Sequence, residues 1–229
     1  MGLQSTRHQS TRKRSDRHAQ KPLPSETFRR ARPTEQLMSH SSPYPAASEE
    51  PPTPILRLRT CLIRSLCEGD AESTAAQANN PRIAKWMRNA FPHPYRVEDA
   101  FKWISIATST SPIHNYAICR PDDNTAIGGI GLKPQDDTRY RTIQIGYWLG
   151  EEYWGRGIAT EALSAFSEWT FEHFKHVIRL EAEVYEGNDS STRVLEKAGY
   201  AFEARHRKAV EKKGQIMDLS LYCRFRDGY

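Results

Sequence analysis

"TIQIGYWLGEEYWGRGIATEAL", residues 142–163, decides how the rest of the chain is read. Residues 142–150 alternate and then turn bulky, as a strand does. Ile158, Ala162, Phe166 and Thr170, flanked by Leu163 and Phe174, then recur at helical spacing, which predicts a helix over 158–174. Gly155 and Gly157 stand between the two elements. Glycine is unfavourable at a helix start unless the backbone bends sharply or lets something approach closely. The first-turn N–H groups of a helix lack intrahelical partners, and the dipole adds partial positive charge there. A Gly-x-Gly turn that exposes those amides suits a phosphate or pyrophosphate. A tight strand–helix turn holding no ligand gives the same pattern.

Two phosphate loops fit poorly. A Walker A loop needs a Lys after its last glycine, and none follows here. A dinucleotide fingerprint needs G-x-G-x-x-G directly after a parallel strand. Here Thr160 takes the place of the third glycine, and Glu151 to Trp154 separate strand from turn. Glu181 lies 24 residues past Gly157, so the acidic position is met, but the polar hairpin before the loop argues against this reading.

Outward from the loop, "ILRLRTCLIRSL" (55–66) predicts a first strand, and Asp70 an N-cap for an Ala-rich helix stopped by Asn79-Asn80-Pro81. "RIAKWMRNA" predicts a short helix, and "VEDAFKWISIATS" a clear one with Val97, Phe101 and Ile104 on one face. "HNYAICRPDDNTAIGGIGLKPQ" reads as a hairpin. After the central helix come a strand, "VIRLEAEVYEG", a helix, "DSSTRVLEKAGY", and two strands, "AFEARHR" and "QIMDLSLYCRF". Strands, then helix–strand–helix, then strands predict an α+β fold of helices over one sheet.

The chain has 229 residues and net charge +5. Residues 1–54 hold eight of the 14 prolines and little aliphatic periodicity, so they read as a disordered tail. Nine Lys/Arg against five Asp/Glu give that tail +4 and leave residues 55–229 near +1. Residues 55–229 are enough for one domain that buries roughly 70% of its unfolded surface. "MGLQST" matches a myristoylation signal at Gly2, followed by Arg7, Arg12, Lys13, Arg14 and Arg17. The same basic run suits a membrane surface, nucleic acid, an address signal or plain solvent. No apolar run reaches the ~18 residues of a span, and no signal-peptide core opens the chain. Cys61, Cys67, Cys119 and Cys223 have neither metal-like nor disulfide-like spacing. The expectation is an intracellular, cytoplasmic protein with no metal.

"IQIGYWLGEEYWGRGIATEAL", "RLEAEVYEGNDSSTRVLEKAGY" and "FPHPYRVEDAFKWI" together resemble the GNAT superfamily of N-acetyltransferases, in the branch of ribosomal-protein-alanine acetyltransferases. The likeness runs from about residue 55 to the C-terminus. It implies a mixed, mostly antiparallel sheet flanked by helices, and acetyl-CoA as co-substrate. The family's loop pattern falls on Trp154, Gly155, Arg156, Gly157, Ile158 and Ala159, and amides from Arg156 through Thr160 are implied to cradle the pyrophosphate. Tyr147, Trp148 and Leu149 are implied to run beside the pantetheine arm. Asn188 is implied at the cofactor or the strand end, and Ser191 toward the thiol. Helix capping is the other reading of both.

Many superfamily members carry a Tyr where Leu195 stands, as the acid for the departing thiolate; here that role passes to Ser191 or water. The branch often has a Glu where this chain has Gln144, which accepts no proton at neutral pH. Glu183, Glu181 and Glu186 are the substitutes, with Glu183 the first choice and a water chain the alternative. Alternation places Glu181 and Glu183 on one sheet face. Tyr147 and Trp148 either shape the acceptor pocket or pack the core, Tyr222 is a further acceptor contact, and His93 and His114 read as turn residues. The implied activity is direct acetyl transfer to a primary amine, on a protein N-terminus or a small molecule. A non-catalytic acyl-CoA-binding module is the alternative. The near-neutral domain charge favours neither a polyanion nor a polycation.

Overall fold

The computed structural model describes residues 50–229. The expected disorder of the tail, its basic run and the Gly2 signal lie outside the described residues. The elements are β1 (Leu56–Arg57), β2 (Leu62–Ser65), α1 (Ala71–Ala78), α2 (Pro81–Ala84), α3 (Val97–Thr108), β3 (Asn115–Cys119) and β4 (Ala126–Pro134). They continue as β5 (Thr142–Leu149), α4 (Ile158–His173), β6 (Arg179–Tyr185), α5 (Asp189–Lys197), β7 (Ala201–Lys212) and β8 (Gln215–Phe225).

The strands form one sheet in the order β1-β2-β3-β4-β5-β6-β8-β7. Every neighbouring pair is antiparallel except β5–β6. Alternation sends Ile118 to one face and Ala117 to the other, and each face has its own core. On the first face, α4 and α5 cover Ile63, Ile118, Ile143 and Leu180. On the second, α1 and α3 cover Leu62, Ala117, Cys119 and Ala126. The helix α4 buries Ser167 and Thr170 without cost, because their hydroxyls donate to the carbonyls of Leu163 and Phe166 at 2.7 Å.

The parallel pair is short. Only Thr142, Ile143 and Gln144 stand in register with Arg179, Leu180 and Glu181. Beyond them β5 stays paired with β4 as far as Leu149, and β6 with β8 as far as Tyr185. Each strand follows its outer neighbour, so the sheet splits between Ile145 and Ala182. Backbone groups facing the split lack strand partners among the described residues, whereas buried backbone groups in folded proteins are generally paired.

Three expectations need correction. The run 55–66 is two strands, because the amide of Leu58 bonds the carbonyl of Cys61 at 2.9 Å and reverses the chain. Asp70 does not cap α1; its buried carboxylate pairs with the equally buried Arg64 at 2.7 and 2.8 Å and accepts from the amide of Cys67 at 2.9 Å. The helix expected over 82–90 shrinks to the single turn Pro81–Ala84, capped by Asn80, whose side chain accepts from the amide of Arg82 at 2.8 Å. Lys85 to Phe91 continue as turns and bends.

Candidate active site

The split opens into a cleft of about 1230 Å³ that runs through the sheet. On the α4 side it is lined by the 153–160 loop and the first residues of α5. On the other side it meets the loop after α2 and the outer face of α3.

The loop is anchored before it reaches its glycines. A 3-10 turn, Glu151–Tyr153, intervenes between β5 and the Gly-x-Gly segment. The indole N–H of Trp154 donates to the carbonyl of Leu149 at 2.7 Å, and the guanidinium of Arg82 lies 5.2 Å from that ring. Glu151 accepts from the side chains of Asn80 at 2.6 Å and Arg82. The chain then turns through Gly155 (φ 73°) and Gly157 (φ 79°), the left-handed region where an L side chain costs about 1–2 kcal/mol. A Cβ at either position would meet nothing within 4 Å, so open space faces both. The amide of Glu161 is the first to bond back, to Gly157 at 3.0 Å. The N–H groups of Ile158, Ala159 and Thr160 precede it and line the cleft wall. Arg156 does not join them; it stands over Tyr153 at 5.6 Å, outside the lining.

Across the cleft, Asn188 caps α5. It accepts from the amide of Ser191 at 3.3 Å and donates to the Ser191 hydroxyl at 3.1 Å. Capping is thus present in full, and both side chains also border the cleft. The hydroxyl of Tyr147 donates to the carbonyl of Ser191 at 3.3 Å, and burial pushes its pKa up to about 12, so the phenol stays protonated. Trp148 leaves β5 on the opposite face and meets Phe91 edge-on at 6.3 Å. Leu149 is buried, and so is Leu195, which is part of the core under α4.

The carboxylates on and just after β6 separate. Glu181 is held by Arg139 at 2.7 Å and Arg179 at 2.9 Å. Glu186 pairs with Arg205 at 2.9 Å and faces away from the cleft. Glu183 lines the cleft with no hydrogen bond or ion pair among the described residues. Gln144 also faces the cleft and accepts from the guanidinium of Arg88 at 2.8 Å. Arg88 belongs to the irregular loop after α2, and neither periodicity nor spacing places it there. Tyr222, expected as an acceptor contact, stays outside the cleft lining: it is buried on the α4 face and meets Phe202 at 5.7 Å. His93 and His114 stay outside the lining, with His114 stacked on Phe174 at 6.0 Å. Among the described residues, no group of three or more His, Cys, Asp and Glu is placed to hold a metal, and no helix is long and apolar enough to cross a membrane.

A split parallel pair beside a glycine turn and a bare helix start leaves a slot next to unpaired amides. A family model described as acetyltransferase (GNAT) domain matches residues 60–201. The chain belongs to that family and is an N-acetyltransferase by class. It is 26% identical to the uncharacterized N-acetyltransferase YoaA of Bacillus subtilis, over 74% of this chain and 95% of the relative. It is 24% identical to the uncharacterized N-acetyltransferase p20 of Bacillus licheniformis, over 70% and 89%. Its fold matches that of RimL, the ribosomal L7/L12 α-N-protein acetyltransferase in complex with coenzyme A, with a TM-score of 0.67 at 18% identity, over 77% of this chain and 100% of that one. RimJ of Mycobacterium smegmatis is a further neighbour, with a TM-score of 0.63 at 22% identity, over 72% and 81%.

Proposed function

We propose that residues 55–229 form a catalytic domain that moves the acetyl group of acetyl-CoA directly to a primary amine. The splitting of β5 from β6 beside the bare start of α4 carries this reading. It puts a slot for an extended thioester arm next to unpaired amides suited to a diphosphate. The residues present fit such a group: the left-handed glycines leave open space, and the amides of Arg156, Gly157, Ile158, Ala159 and Thr160 stand at the turn and helix start. Trp154 and Gly155 shape the turn. The backbone of Tyr147 to Leu149 offers hydrogen bonds to the arm, and Asn188 fixes Ser191 beside it.

Acetyl-CoA supplies an activated carbonyl. Glu183 takes a proton from the incoming ammonium, and the neutral nitrogen forms the new C–N bond as the C–S bond breaks. Ser191, or a water, gives a proton to the sulfur and is replenished by the second proton that the nitrogen sheds as the amide forms. The free carboxylate of Glu183 favours catalysis over mere storage of the thioester. The acceptor is a protein N-terminus or a small-molecule amine.

Calorimetry with acetyl-CoA and thiol release over a panel of peptides, polyamines and small amines test the reading together. Binding with turnover of at least one amine is expected. Tight binding with no amine consumed would leave a non-catalytic acyl-CoA module; no binding would end the account.

A further inference from the structure

Charge is uneven in this chain in a way its net value hides. Residues 55–229 balance to about +1, yet the cleft is lined by seven Lys/Arg against only Asp99 and Glu183. Arg82, Arg193 and Lys197 lie on the loop and α5 side, where phosphates are expected. Arg88, Lys102 and Lys133 lie on the opposite face, beyond the split, and none is ion-paired among the described residues.

The second face adds two more features. Gly131 and Gly146 stand directly across from each other on β4 and β5, and a Cβ on Gly146 would meet nothing within 4 Å. Bare backbone at Gly146 therefore floors the cleft just where the sheet splits, while the side chain of Asn115 covers Gly131. The long β7–β8 hairpin then extends the positive surface. Lys212 donates to the carbonyl of Met87, and Asn89 donates to that of Glu211 at 3.3 Å, so the hairpin end is tied to the loop that carries Arg88. Its outer part exposes Arg207, Lys208 and Lys213.

Resting on the acetyltransferase reading above, we infer that the acceptor is the N-terminal α-amine of an acidic peptide, laid extended over Gly146 toward the β7–β8 hairpin. Positive walls around a reacting ammonium disfavour its charged form, which raises the neutral fraction that attacks. The same walls repel polyamines and Lys-rich tails, and acidic residues downstream of the amine recover the interaction. A small anionic amine satisfies the cleft alone and leaves the hairpin charges without a role.

Three short peptides with the same first residue, followed by acidic, neutral or basic residues, separate these cases, together with small anionic amines and spermidine. Thiol release is measured with saturating acetyl-CoA, and peptide binding by calorimetry without it. The acidic peptide should be favoured by about tenfold or more in kcat/KM over the neutral one, a difference of ~1.4 kcal/mol, and should be the tightest binder. Added salt should shrink that preference. Lys102→Glu with Lys133→Glu should abolish it while acetyl-CoA affinity stays unchanged, and Arg207→Glu with Lys213→Glu should weaken it for longer peptides only. Equal rates on all three peptides, better turnover of small amines than of any peptide, or a preference that survives the cleft double variant overturns the inference and leaves the enzyme standing. Failure to bind acetyl-CoA would instead overturn the enzyme.

Discussion

Glu181 and Glu183 leave β6 on the same face, two residues apart, and their neighbours give them different work. Two arginines hold Glu181, so its carboxylate is already spent as an acceptor of hydrogen bonds. Glu183 borders the cleft with nothing bonded to it among the described residues. Replacing Glu183 by Gln is expected to lower kcat by about a hundredfold, the scale of a lost general base, with acetyl-CoA affinity unchanged in calorimetry. An unaltered kcat would move the proton to a water chain. A second residue-scale test concerns Arg64, which is only 1% exposed and relies on Asp70. Asp70→Asn strands a buried guanidinium and should cost about 3–5 kcal/mol in urea unfolding. The sequence offered Asp70 as a cap because its position before an Ala-rich run fits one. The pairing with Arg64 was illegible because it depends on how a turn folds back, which neither residue's local pattern records.

At the scale of elements, periodic segments were readable and their junctions were not. The helices at 97–108 and 158–173 and the strands β3 to β6 emerge near their expected bounds, because an apolar face repeats over several turns or pleats. The run 55–66 misled because Arg57 and Arg59 keep the alternation going through a reversal that a distant residue stabilises. That residue is Glu161, in the first turn of α4. Its carboxylate accepts from the amides of Arg59 at 3.1 Å and Thr60 at 3.0 Å, and from the Thr60 hydroxyl. Burial alone would raise the pKa of Glu161, but these hydrogen bonds outweigh it and hold the group below its ordinary 4.5. A depressed carboxylate contributes stability that is complete above the unfolded value and is lost as pH falls through the folded one. Urea midpoints should therefore drop as pH falls below about 4.5. Glu161→Gln should flatten part of that drop and cost about 1–2 kcal/mol at neutral pH. An identical pH profile in the variant would show that other carboxylates govern acid unfolding.

The splitting of β5 from β6 is a property of the whole sheet, and no single strand announces it. Each strand merely keeps faith with its outer partner, and the slot appears where the two outer pairings diverge. What the sequence does carry is the turn at its edge, since only glycine tolerates φ near 75° there at little cost. Gly157→Val forces a β-branched residue into that region beside the proposed diphosphate. It should abolish measurable acetyl-CoA binding while far-ultraviolet circular dichroism stays native, and full affinity would unseat the loop assignment. The remaining question at this scale is where the catalytic unit begins. Residues 1–54 hold eight of the 14 prolines and little aliphatic periodicity, a composition that buries little apolar surface. Removing residues 1–49 should therefore shift the melting temperature by less than about 2 °C and leave acetyl-CoA affinity within about twofold, since ~1 kcal/mol moves a domain of this size by 2–4 °C. The truncated protein should also lose its +5 charge and nothing of its preference for acidic peptides, because the basic residues that set that preference belong to the cleft and the hairpin. A truncation that keeps acetyl-CoA affinity but loses the peptide preference would transfer acceptor recognition to the tail.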